Sequence, residues 1–163
     1  MEPTLDIGQR VLVNRAFTRL GADPSPGDVV VFHPPQGALE GDKCGAPTHS
    51  GQPCSEPTSE ESDQNFIKRV VAGPGDTLKI ENGIPIVNGE PFTGDGDWEI
   101  NPCRGVDSCD FPEQITIPPD HYFMMGDNRG ASDDSRYWGP VPRDWLIGKA
   151  FATYWPPDRI GIF

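Results

Sequence analysis

Chain breakers set the first limit on what this sequence can fold into. Nineteen glycines and 19 prolines among 163 residues place one of the two about every four positions, roughly twice average usage. Both destabilise helix interiors, so long helices are excluded and short strands joined by many turns are favoured. The segments between the breakers agree. "RVLVNRAF" (10–17), "DVVVFH" (28–33), "NFIKRVVA" (65–72), "QITIP" (114–118), "YFMMGD" (122–127) and "KAFATYWP" (149–156) are rich in β-branched or aromatic residues. "TLKIENGIPIVNG" (77–89) reads as a hairpin around Asn82-Gly83. Only "RDWL" (143–146) suggests a helical turn. The sequence therefore predicts an all-β fold of short, mostly antiparallel strands, sandwich- or barrel-like, long enough to bury one core.

Charge is concentrated rather than spread. The net charge is −12, and residues 36–64 and 93–113 together hold 12 acidic and 2 basic side chains, which is ten of those twelve charges. An acidic chain with no clustered Lys or Arg is a poor partner for nucleic acid, so none is expected. The same two stretches hold all four cysteines, Cys44 and Cys54 in the first, Cys103 and Cys109 in the second. Zinc sites want CxxC-type pairs with histidines at ligand spacing, which these gaps do not supply, and no metal or cofactor is expected. Local disulfides Cys44–Cys54 and Cys103–Cys109, each closing an acidic loop insertion, are the better reading, with four unpaired thiols as the alternative. Such bonds imply an oxidising, extracytoplasmic compartment. No window approaches the ~18 apolar residues of a membrane span, so a soluble polypeptide is expected.

Two stretches carry chemistry. In "NFIKRVVAGPGD" alternation puts Phe66, Lys68 and Val70 on one face and Ile67, Arg69 and Val71 on the other. A lysine there is either snorkelling to solvent or desolvated for use as a general base. Service near neutral pH requires that its charged form lose about 4 kcal/mol of its usual preference. Burial against Phe66 and Val70, with no carboxylate beside it, pushes in that direction. "MMGDNRGASDDSRYWGP" (124–140) is the densest polar stretch. A calcium loop fails there, because Arg129 occupies the third position and no Glu closes the loop. Its polar side chains can instead form a self-satisfied network that aims one hydroxyl at a neighbouring base. Ser132 lacks the second glycine of a G-x-S-x-G elbow, no S-x-x-K occurs, and His33, His49 and His121 sit in no recognisable catalytic setting.

Taken in order, "MEPTL", "PGDVVVF", "KRVVAGPGDTL" and "GDNRGASDDSRYWGPV" resemble the bacterial type I signal peptidases, and "GKAFATYWPP" extends the match. The resemblance covers the β core and omits only the two acidic stretches. It implies a membrane-anchored Ser–Lys endopeptidase that works at the extracytoplasmic face of the cytoplasmic membrane. Such an enzyme removes signal peptides from exported preproteins after small residues at the −1 and −3 positions. By resemblance Lys68 is the general base and Ser132 the serine that orients it. Asp127, Arg69, Asp134 and Arg136 match the bracing polar network; Met1, Leu5, Phe66 and Ile67 match the shallow apolar substrate subsite. The strand at Phe66 to Lys68 is expected to pair with an extended Ala-x-Ala-type substrate, and the lipid surface is the other expected partner. A single peptidase core over residues 1–163, as a monomer, is expected.

One departure bears on activity. In the family the nucleophilic serine immediately precedes the Met of "MxPTL", and this sequence starts at that Met. The expectation is a catalytic core cut just after the nucleophile, without the membrane anchor and inactive as written. Gly130-Ala131 also stand where the family often has a more polar pair. Two alternatives stay open. One is a non-catalytic extracytoplasmic β domain that binds exported peptides or partners; the other is a self-cleaving repressor-type Ser–Lys core, which paired cysteines and acidity argue against.

Overall fold

The computed structural model describes residues 1–39, 43–93, 103 and 109–162. Along the chain, β1 (Arg10–Asn14) is followed by helix α1 (Arg15–Arg19), β2 (Val29–Phe32), β3 (Phe66–Ala72), β4 (Thr77–Glu81), β5 (Ile84–Val87) and β6 (Glu90–Pro91). Then come β7 (Phe111–Thr116), β8 (His121–Met125), helix α2 (Ser135–Trp138), β9 (Val141–Pro142), β10 (Leu146–Trp155) and β11 (Gly161–Ile162). Among the described residues these strands form two antiparallel sheets. One runs β1-β10-β2-β3-β8-β9 with β11 added on β10, and the other runs β6-β5-β4-β7. The all-β expectation holds.

Asn82 and Gly83 take positive φ, 51° and 77°, the pair of left-handed residues that a tight two-residue hairpin between β4 and β5 requires. Helices are more numerous than the sequence suggests. "RVLVNRAF" is not one strand, because Asn14 stops β1 and caps α1, its side chain accepting hydrogen bonds from the amides of Ala16 and Phe17. Asp134 caps α2 by accepting from the Arg136 amide. Single 3-10 turns cover Arg129–Ala131 and Arg143–Trp145, the latter being the helical turn expected at "RDWL".

Strand β3 organises the interior. Phe66 and Val70 pack with Phe32, Met124 and Trp138 on one side. Ile67 joins Leu5, Val29 and Ala150, and Val71 joins the cluster with Leu78, Ile80 and Phe123 that lies against the second sheet. The predicted alternation is therefore the observed one. The strand is buried from Arg69 onward and only partly so at Phe66, Ile67 and Lys68. Lys68 thus sits where a core strand emerges at the surface.

Both cysteine pairs are disulfides, Cys44–Cys54 and Cys103–Cys109. The half-cystines Cys54 and Cys109 are buried, at 0% and 2% exposure, rather than lying out in exposed loops. Of the two acidic stretches, residues 40–42, 94–102 and 104–108 lie outside the described residues.

Candidate active site

Two core strands bring the site together. Arg69 of β3 pairs with Met125 of β8, so the next residue after β8, Gly126, stands level with Lys68. From Gly126 the chain passes through Asp127 and the 3-10 turn to Ser132, then into α2. The turn brings Ser132 back over Gly126, and Lys68 Nζ donates to Ser132 Oγ at 2.9 Å. Lys68 Nζ also lies 5.8 Å from the Phe66 ring centroid, a cation–π distance when the amine is charged.

Burial pulls the Lys68 pKa below its ordinary value of 10.5, and the nearby Asp134, Asp133 and Asp127 only partly oppose it. The expectation of no neighbouring carboxylate thus needs correction: carboxylates are near, but two of the three are held by arginines. Asp134, fully buried, accepts from Arg136 Nε at 2.7 Å and Nη2 at 3.0 Å. Burial works against the Asp134 carboxylate, yet Arg136 outweighs it and holds the pKa below the usual carboxylate value. Asp127 accepts from Arg69 Nε at 2.9 Å and Nη2 at 2.8 Å, and both side chains are buried. These fork-on-fork pairs spend the carboxylates' charge on guanidinium groups.

The bracing extends further than expected. Arg136 Nη2 also donates to the carbonyls of Arg129 (2.8 Å) and Ser132 (3.0 Å), fixing the loop that carries the serine. Asp134 Oδ2 accepts from the Gly126 amide at 3.0 Å. Arg129 is buried and donates to the Gly83 carbonyl of the β4–β5 hairpin at 2.9 Å; burial lowers its pKa to about 10. The Cys54 amide donates to the Arg136 carbonyl at 2.9 Å, so the first disulfide segment is docked onto the same network.

Ser132, Lys68, Phe66, Ile67, Leu5 and Met1 all border one open cleft of about 530 Å³, together with Glu2, Asn128 and Ala131. Burial, and then the Lys68 charge, lower the pKa of the Met1 α-amine. Met1 and Lys68 line the same cleft. The histidines take no part: His33 and His121 bond to the carbonyls of Gln64 and Pro119, and His49 borders a separate cavity with Tyr137.

Two residues of the site escaped the sequence reading. Gly126 is needed for close approach, since a Cβ there would stand 2.2 Å from Ser132 Oγ. A glycine inside a polar block next to a strand end was the available signal. Thr4, whose hydroxyl donates to Asp127 Oδ2, gave none beyond its place in "MEPTL".

An all-β scaffold carrying a half-buried lysine–serine pair in an open cleft is the class of protein this geometry defines. The profile of the family described as signal peptidase, peptidase S26, matches residues 1–155. A probable signal peptidase I-2 of Synechocystis is 33% identical over 162 residues, covering 99% of this chain and 62% of that protein. A signal peptidase I of Leptolyngbya laminosa is 32% identical over 162 residues, covering 99% of this chain and 67% of that one. A crystal structure of a signal peptidase I from Enterococcus faecalis superposes with a TM-score of 0.47 at 22% identity, covering 78% of this chain and 96% of that one. This chain belongs to the signal peptidase, peptidase S26, family. It spans about two thirds of the length of these two curated relatives.

Proposed function

We propose that this chain is the extracytoplasmic core of a serine endopeptidase that removes signal peptides from exported preproteins by a Ser–Lys dyad. The reading rests on one observation above the others: a half-buried lysine amine bonded at 2.9 Å to a serine hydroxyl, with the neighbouring carboxylates Asp127 and Asp134 engaged by arginines. Burial lowers the pKa of this amine, which favours the uncharged form that acts as a base. In a polypeptide where a serine precedes Met1, that hydroxyl enters the cleft beside Lys68. Lys68 removes its proton, the serine oxygen adds to the scissile carbonyl, and the lysine returns the proton to the leaving amine. Water then hydrolyses the ester by the same relay. Ser132 holds the amine in place, and its own carbonyl is pinned by Arg136.

The apolar part of the cleft, from Met1, Leu5, Phe66 and Ile67, suits a small side chain at −1 in an extended peptide running along β3. The edge around β10 and β11 suits a lipid surface. Trp155 and Ile162 are 50% and 88% exposed, and Leu12, Phe151, Tyr154 and Ile160 are exposed as well. Aromatic rings with polar tips favour the membrane interface. Among the described residues no helix is long and apolar enough to cross a membrane.

The test is cleavage of an Ala-x-Ala signal-peptide substrate in detergent by the chain extended upstream, with serine directly ahead of Met1. Cleavage after the second alanine, abolished by replacing that serine with alanine, is expected. A folded, extended protein that cleaves nothing overturns the reading, and leaves a peptide-binding β domain as the function to examine.

A further inference from the structure

Thr4 lies where the N-terminal turn meets the Arg69–Asp127 pair, and the dyad as described gives it no part. Its hydroxyl donates to Asp127 Oδ2 and accepts a longer bond, 3.4 Å, from Arg69 Nη2. Its single proton and an acceptor lone pair are therefore both used on a buried ion pair. The segment is also closed on itself: the Leu5 amide donates to the Met1 carbonyl at 3.1 Å, and the Leu5 side chain is buried with Val29 and Ala150. Glu2 and Pro3, in contrast, are exposed. The Thr4 hydroxyl is thus the polar tie of this short turn to the core, beside the apolar packing of Leu5 and of the half-buried Met1 side chain on the same cluster. Asp127 belongs to the loop that carries Ser132, and Arg69 is the strand neighbour of Lys68. The turn is consequently fastened to both halves of the lysine–serine pair.

We propose that Thr4 is a positioning residue: its hydroxyl fastens the Met1–Leu5 turn to the Arg69–Asp127 pair and so sets where the backbone at Met1 lies relative to Lys68 Nζ. It touches neither substrate nor the reacting atoms. The inference deepens the proposed function and rests on it, because the backbone at Met1 is what places a serine attached ahead of it. Removing the hydroxyl leaves the ion pair intact through Arg69 but leaves the turn held only by the non-directional packing of Leu5 and Met1, which lets the Met1 backbone shift. An ordinary structural hydrogen bond predicts something else, namely lower stability with unchanged chemistry.

The isosteric variant Thr4→Val and the conservative Thr4→Ser separate these cases. The first readout is the NMR titration of the Met1 α-amine in the chain as it stands. Its pKa, lowered in the parent from the ordinary 8.0, is expected to return toward that value in T4V and to stay lowered in T4S. The second is turnover by the serine-extended form. There kcat is expected to fall about 10²-fold in T4V, the loss typical of roughly 1 Å of misplacement. KM should change little, and T4S should restore kcat. A T4V amine that titrates like the parent's, an unchanged kcat, or a rise in KM alone overturns the proposal. Thr4→Ala replaces T4V if valine prevents folding, and unfolding of both overturns it too, since the hydroxyl then holds the fold rather than the turn. If the serine-extended parent cleaves nothing, the proposed function falls while the amine titration still decides the role of Thr4.

Discussion

Replacing Gly126 with alanine puts one methyl group into the tightest contact of the site. The added Cβ would stand 2.2 Å from Ser132 Oγ, 2.7 Å from Ser132 Cβ and 3.5 Å from Lys68 Nζ. Non-bonded carbon atoms rest at about 3.5–4.0 Å, so the Ser132 backbone has to retreat by roughly 1 Å. Rotating the hydroxyl does not relieve the contact with Cβ. A retreat of that size along the bond carries the 2.9 Å Lys68–Ser132 contact beyond hydrogen-bond reach. Gly126 is not among the glycines at positive φ, so the effect is steric and not conformational strain in the alanine itself. Overpacking of this kind costs about 1–3 kcal/mol, a tolerable loss for a folded domain, whereas misplacing the base by about 1 Å costs about 10²-fold in rate. The assay is kcat for signal-peptide cleavage by the serine-extended form, beside a denaturation curve. G126A should remain folded with kcat down by about two orders of magnitude. A folded G126A with kcat within a few-fold of the parent refutes the steric argument and the role of Ser132 with it.

Lys68→Met removes an amine whose charged form is penalised by burial. Because the folded pKa lies below the ordinary 10.5, the unfolded chain binds the extra proton between those two values, and the parent's stability rises with pH across that window. K68M should therefore gain most over the parent below the lowered pKa, with the gain shrinking as pH climbs to 10.5; denaturation curves in which the gap widens with pH contradict this. Opening the Cys44–Cys54 disulfide, whose cysteines are ten residues apart in sequence, by C44S/C54S should cost about 2–4 kcal/mol, and an unchanged denaturation midpoint would show that the docked Cys54 segment holds without it. Trp155→Ser with Ile162→Ser should weaken binding to lipid vesicles several-fold, while equal binding would move the membrane contact off the β10–β11 edge.

Much of this architecture was legible because breakers and β-branched runs are local signals. The Asn82-Gly83 hairpin, the alternation through β3 and the disulfide pairs each follow from a few adjacent residues. Asn14 was legible only in retrospect: a capping residue inside an apolar run turned the end of a strand into a helix, and "RVLVNRAF" hid it. The roles of Lys68 and Ser132 were read by resemblance, and burial was legible as the cause of the lowered lysine pKa, but the nearby carboxylates that oppose it were not. Asp127 and Asp134 both lie close to the lysine, and only the fold shows that Arg69 and Arg136 engage them first. Gly126 and Thr4 depend on contacts over 100 residues apart in one case and on the absence of a side chain in the other. The burial of Cys54 and Cys109 was concealed by the acidic composition around them.

Whether burial outweighs the nearby carboxylates at Lys68 decides whether this site can work as described, and titrating its ε-amine by heteronuclear NMR in the intact chain answers that. A midpoint clearly below 10.5, with the fold unchanged across the titration, is the predicted result. A midpoint at or above 10.5 means that the carboxylates outweigh burial, and a lysine held as a cation there cannot serve as the base.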